Sequence, residues 1–220
     1  MIITLDGPAG AGKSSAARAL AHRLGWCYMD TGAMYRAVTL MALERGVSLD
    51  DALALAVLAE SLAIAFRNGC VFVGDRDVST EIRTERITAA TRPVADAPPV
   101  REVMKRMQRS IAEGLDVVTE GRDQGSVVFP HAELKVFLTA SPEERALRRH
   151  REEAARGAAS SLDAVLSAQN RRDEGDRVRA VGAMKPADDA VLVETDGLTQ
   201  DDVVERLVQL IEERRSPRSS

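Results

Sequence analysis

Apolar positions fall into two rhythms along the chain. Residues 2–5, 26–29, 117–120, 134–139 and 190–194 are short runs, apolar almost throughout, that end at turn formers. That pattern predicts strands buried on both faces. The stretches between them carry helical spacing. Residues 14–24 stop at Gly25, and 33–45 stop at Gly46, a C′ glycine. Residues 50–61 and 162–174 are also read as helices. Behind Pro98 and Pro99, Val100, Val103, Met104, Met107 and Ile111 line one helical face. Ser141-Pro142-Glu143-Glu144 is a capping box opening an arginine-rich helix to about Arg156, and Thr199-Gln200-Asp201-Asp202 opens the last helix. Strands alternating with helices predict an α/β fold, a five-stranded parallel sheet flanked by helices. One stretch breaks the alternation. Residues 62–66 and 70–73 flank Arg67-Asn68-Gly69, a hairpin signal, and 78–82 is read as a third strand, so 62–83 is a small antiparallel insert. Residues 157–160 read as a flexible loop and 216–220 as a frayed tail.

The first strand runs into Gly7-Pro8-Ala9-Gly10-Ala11-Gly12-Lys13-Ser14, which fits GxxxxGK[ST]. Glycines let such a loop wrap so that its N–H groups face phosphate, and the following helix adds its positive end. Lys13 is expected to reach the β- and γ-phosphates of ATP, and the Ser14 hydroxyl to bind Mg²⁺. With Ser15, these residues form the expected ATP cradle of a P-loop NTPase fold. Asp6 and Glu120, each at a strand end, are candidates for ordering the loop or the outer shell of the metal.

Composition narrows the field. The chain has 220 residues, 30 Lys+Arg and 34 Asp+Glu, for a net charge of −4. An acidic balance and 3% aromatics argue against nucleic-acid binding. No apolar run reaches membrane-spanning length and the N-terminus lacks a signal peptide, so a cytoplasmic location is expected. Cys27 and Cys70 stand 43 positions apart, which suggests neither a disulfide framework nor a zinc site. Only four of the 30 basic residues are lysines (13, 105, 135 and 185). A GC-rich genome explains much of that split, and repeated use of the planar guanidinium fork on phosphate explains part of it.

A phosphate loop does not name a reaction. No NKxD motif supports a guanine-nucleotide switch, and the chain is short for a motor. A small-molecule kinase remains, and an anionic acceptor needs its own cations. Three charged turns qualify: Asp30-Thr31-Gly32-Ala33-Met34-Tyr35-Arg36, Gly121-Arg122-Asp123-Gln124-Gly125, and residues 172–179 with their alternating acids and arginines. On the helix after Ser141, Arg145, Arg148 and Arg149 share one face, as a lid closing over the transferred group requires.

These motifs together resemble the bacterial cytidylate kinase family, within the nucleoside monophosphate kinases. The resemblance rests on LDGPAGAGKSS at 5–15, DTGAMYRA at 30–37, DVSTEIRT at 77–84, PxVR at 98–101, EGRDQGSVVFP at 120–130, RRDEGDRVRAV at 171–181 and KPADDA at 185–190. It implies phosphoryl transfer from ATP to CMP or dCMP with Mg²⁺, by a cytoplasmic monomer. It also implies roles: Asp30, Thr31 and Tyr35 at the acceptor, Arg36, Arg122 and Arg179 on its phosphate, Arg101 and Asp123 on the cytosine edge, and Arg172 with Asp176 beside the ribose. Lys13, Arg122, Arg148 and Arg149 are then the catalytic candidates, with Arg145 on the ATP side. Where the family usually has a serine nine positions before Arg101, this chain has Arg92. One kinase domain is expected, with its core at 1–49, 84–140 and 161–215, a CMP-side insert at about 50–83 and a lid at about 141–160. The nearest rival is another small-molecule P-loop kinase, acting on UMP, AMP or an anionic metabolite. A non-catalytic nucleotide-responsive module is a further alternative.

Overall fold

A computed structural model describes residues 1–67, 69–155 and 160–215. Asn68 of the hairpin signal, most of the 157–160 loop and the 216–220 tail therefore lie outside the described residues.

The elements run in chain order: β1 (Ile2–Asp6), α1 (Lys13–Leu24), β2 (Cys27–Asp30), α2 (Thr31–Glu44), α3 (Ala52–Glu60), β3 (Ile64–Arg67), β4 (Cys70–Val73), β5 (Arg76–Asp77), α4 (Glu85–Asp96), α5 (Pro98–Ala112), β6 (Val117–Glu120), β7 (Leu134–Thr139), α6 (Pro142–Ala155), α7 (Leu162–Arg177), β8 (Val191–Glu194) and α8 (Gln200–Arg215). The five predicted buried runs form one sheet in the order β2-β6-β1-β7-β8. β1 lies parallel to β6 and β7, and β7 lies parallel to β8. The fold is the expected one, a parallel sheet flanked by helices with a small antiparallel sheet elsewhere in the chain.

The chain divides into two compact units, one holding residues 1–27 and 116 onwards, the other Tyr28–Leu115. In the first, Ile3, Leu5, Val117, Val118, Leu134, Val136 and Leu138 are buried along the strands, with Leu20, Leu207 and Ile211 of α1 and α8. The second has its own core. Met34, Val38 and Met41 of α2 pack with Leu55, Leu58, Ile64, Val71, Ile82, Val94, Val100 and Met104.

Four local departures have clear causes. Asp30-Thr31-Gly32 reads as a turn, yet α2 begins at Thr31, because Asp30 Oδ1 accepts the Ala33 N–H at 2.8 Å and caps the helix. The third strand of the small sheet is Arg76–Asp77 rather than 78–82. There Ser79 donates its N–H to Asp77 and accepts the Val71 N–H, and the chain turns into a short 3₁₀ segment, Glu81–Arg83. Helix α4 has no counterpart among the elements expected from the sequence, and Pro93 falls inside it. It survives in the final turn, where only one ladder bond is forfeited. The expected capping box at α6 is half formed. Ser141 Oγ accepts the Glu144 N–H, but the Ser141 N–H goes to Asp196, and Glu144 turns to Arg148.

Candidate active site

In the first unit, parallel registers bring the carboxyl ends of β1, β6, β7 and β8 to one edge, where α/β proteins build their sites. The phosphate loop leaves β1 at that edge. Gly7 lies at φ +138°, and a Cβ there would stand 1.9 Å from the Leu138 carbonyl oxygen, so the motif's first glycine is a demand of strand packing. Lys13 is buried, and its Nζ donates to Pro8 O at 2.6 Å. Burial, with the neighbouring Arg122 and Arg172 guanidiniums, lowers the Lys13 ammonium to about 7 against the pull of Glu120 and Asp6.

Asp6 accepts the N–H groups of Gln124 and Gly125 at 2.8 and 2.7 Å. It thereby ties the start of the phosphate loop to the turn after β6. Burial raises its carboxyl from 3.8 to about 6, and those two bonds oppose the shift. That bonded pair opens a short π-type turn, Gln124–Val128. The Ser14 hydroxyl donates to Glu120 Oε2 at 2.8 Å. This hydroxyl and carboxylate offer hard oxygen donors suited to Mg²⁺. Among the described residues no group of three or more His, Cys, Asp or Glu could hold a metal. A small protein share of the ligands is the usual arrangement when substrate phosphates complete the shell.

A second cation cluster occupies the same unit. Arg122 Nε donates to Asp176 Oδ2 at 2.8 Å, and Arg179 Nη2 donates to Oδ1 at 2.7 Å. Burial works against the Asp176 carboxylate, but Arg122, Arg179 and Arg172 outweigh it and hold the carboxyl below its ordinary range. Asp123, next to Arg122, is buried, while Arg172 is exposed on α7. The three arginines of α6 part company. Arg145 is buried and bonded to Ala9 O, Ala140 O and Asp173. Arg148 bonds Glu144 at 2.9 Å and both the hydroxyl and the carbonyl of Thr195. Arg149 is exposed and pairs with Glu153 at 2.8 Å.

In the second unit, Asp30 organises its own cations. Its carboxylate accepts from Arg36 Nη2 at 3.1 Å and Arg83 Nη2 at 3.2 Å while capping α2. Thr31 is buried at the head of α2. Arg101 is buried on α5, donates to Ala95 O at 3.0 Å, and lies 5.7 Å from the Tyr35 ring centroid. Arg92 is 63% exposed and pairs with Asp96 on its own helix.

Sequence reading missed Asp173, Thr195 and Arg83. Asp173 and Arg83 stand inside motifs quoted for other residues, but nothing in their spacing marks partners 28 and 53 positions away.

A cytidylate kinase profile matches residues 3–213. The chain belongs to the cytidylate kinase family. It is 49% identical over 213 residues to the cytidylate kinase of Rhodopirellula baltica, covering 97% of this chain and 93% of that one. It is 50% identical to that of Exiguobacterium sibiricum, covering 96% of both chains. Against that of Mycobacterium leprae the identity is 44%, over 97% of this chain and 96% of that one. Among solved structures, a Thermus thermophilus protein superposes with a TM-score of 0.51 at 20% identity, covering 99% of this chain and 98% of that one. That likeness reports fold alone. Family membership makes the protein a phosphotransferase.

Proposed function

We propose that the protein transfers the γ-phosphoryl group of ATP to CMP or dCMP, giving ADP and CDP or dCDP. The observation that carries this reading is the coexistence, in one unit, of a phosphate loop and a second arginine pair built around Asp176. A switch or a simple ATPase needs only the first.

The chemistry is one displacement. An oxygen of the acceptor phosphate attacks the γ-phosphorus, and the bond to the β–γ bridging oxygen breaks with ADP as leaving group. Such transfer depends on alignment and charge neutralisation more than on a covalent residue. Lys13 and the loop N–H groups hold the donor phosphates. Arg36, Arg122 and Arg179 hold the acceptor phosphate, and Asp176 fixes the last two and takes the ribose hydroxyls beside Arg172. Arg148 and Arg149 serve the transferred group, with Arg145 on the ATP side. Ser14, with Glu120 behind it, would hold Mg²⁺, which would supply charge neutralisation for the transferred group. Asp123 and Arg101 read the cytosine, with Asp30, Thr31 and Tyr35 lining the acceptor side. Asp123 can accept from the 4-amino group, where uracil presents a carbonyl.

Among the described residues, no helix is long and apolar enough to cross a membrane. The reading places the protein in the cytoplasm as a monomer acting on small nucleotides. A coupled ADP-release assay across CMP, dCMP, UMP, AMP and GMP tests it. CMP and dCMP should be the preferred acceptors, and equal or faster turnover of UMP or AMP would overturn the assignment.

A further inference from the structure

Two consecutive peptide planes in the phosphate loop are held by side chains, Lys13 from the loop's own end and Asp173 and Arg145 from outside it. The Pro8–Ala9 plane is gripped at both ends, with Lys13 Nζ on Pro8 O at 2.6 Å and Asp173 Oδ1 accepting the Ala9 N–H at 3.3 Å. The Ala9–Gly10 plane is gripped through Ala9 O, which accepts from Arg145 Nη1 at 2.8 Å. That same nitrogen reaches Asp173 Oδ2 at 2.5 Å, and Arg145 Nε anchors on Ala140 O at 3.0 Å. The Arg145 and Asp173 side chains are 3% and 4% exposed. Two charges that far from water are costly unless each finds its complement. Here each completes its shell on Ala9. The neighbouring glycine shows how closely α6 and α7 press on the loop: a Cβ at Gly10 would stand 3.0 Å from Arg145 Cβ and 3.2 Å from Gln169 Oε1.

We propose that Asp173 and Arg145 are a positioning pair for the donor's phosphates. Peptide planes are rigid, so one bond on each plane flanking Ala9 pins both of its soft dihedrals. An unpinned plane can flip and turn a carbonyl where an anion must sit. With both planes fixed by charge-assisted bonds, the loop is preformed for phosphate before the donor arrives. Arg145 thus acts through the backbone of Ala9. The inference rests on the kinase reading above and deepens it, since it assigns the pair to ATP and not to the acceptor.

The test combines ATP calorimetry with steady-state kinetics in which ATP and CMP are varied separately. Asp173→Asn removes the charge that holds Arg145, and it should weaken ATP binding and raise the ATP KM by about tenfold or more. The CMP KM should stay within about twofold of wild type, because nothing on the acceptor side is pinned by this pair. Arg145→Lys keeps the charge, loses the fork, and should fall between the two; it carries the test if Asp173→Asn fails to fold. Equal shifts in both KM values would overturn the proposal, as would a loss of thermal stability with ATP affinity unchanged. If wild type binds ATP but makes no CDP from CMP, the acceptor reading falls while calorimetry still decides the role of the pair.

Discussion

Lys13 carries opposing demands in a single side chain. Its position in the loop calls for a cation on phosphate, while its burial beside Arg122 and Arg172 disfavours the charge. Glu120 and Asp6 are what keep an ammonium tenable there. Lys13→Met should therefore lower kcat by about 10²–10³-fold, the cost typical of losing one preorganised charge-stabilising donor. Single-turnover phosphoryl transfer measures it. Asp123 carries selectivity instead. Asp123→Ala should cost far more with CMP than with UMP, by up to roughly 10⁴-fold if the buried carboxylate reads the amino group. Equal losses with the two nucleotides would remove it from the base pocket. Gly7 answers to packing. Gly7→Ala drives a Cβ into the Leu138 carbonyl at a left-handed φ, and strain with overpacking should cost roughly 2–5 kcal/mol, read as a lowered Tm.

At the scale of elements, caps and helix faces decide what is held. Asp30 caps α2 and gathers Arg36 and Arg83 with one carboxylate. Asp30→Asn keeps an oxygen for the Ala33 N–H but gives up the charge, so the CMP KM should rise while helicity by circular dichroism stays near wild type. A fall in helicity with KM unchanged would mark Asp30 as a cap alone. Helix α6 is less uniform than its spacing suggests. Arg145, Arg148 and Arg149 share a face by arithmetic, yet Arg145 is buried on the loop, Arg148 is bonded to Thr195, and Arg149 is exposed. Periodicity reports which residues share a face; it cannot report which end of a long guanidinium side chain finds a carbonyl 136 positions away.

For the whole molecule, Asp6 links site chemistry to global stability. In the unfolded chain its carboxyl ionises near 3.8, and in the folded protein near 6. Between those values the folded state holds the extra proton. The stability it contributes is therefore full below 3.8 and is lost as pH rises through 6. Asp176 works in the opposite sense, its lowered carboxyl favouring folding at higher pH. The informative quantity is accordingly the difference between wild type and Asp6→Asn in urea unfolding. That difference should shift against wild type by roughly 2 kcal/mol between about pH 4 and pH 7. A pH-independent difference would show that Asp6 ionises normally.

The amino-acid sequence by itself determined the strand and helix alternation, the phosphate loop and the family, because each is written in contiguous residues with short-range physics. Buried runs, cap residues and glycine spacing are local, and they needed correction where a local signal had competitors: Asp30 capping sooner than a turn would, Asp77 and Ser79 turning the chain where a strand was expected, Pro93 tolerated near a helix end, Asp196 taking the N–H that Glu144 was expected to hold. Tertiary structure alone decided which charges meet. Arg122 with Asp176, Arg83 with Asp30, Ser14 with Glu120, and Arg145 with Asp173 on the peptides of Ala9 join residues from 28 to 164 positions apart. A charged side chain carries no sequence mark of its partner. Its partner is set by where the strand registers and helix packing deliver it, and burial then makes that pairing obligatory.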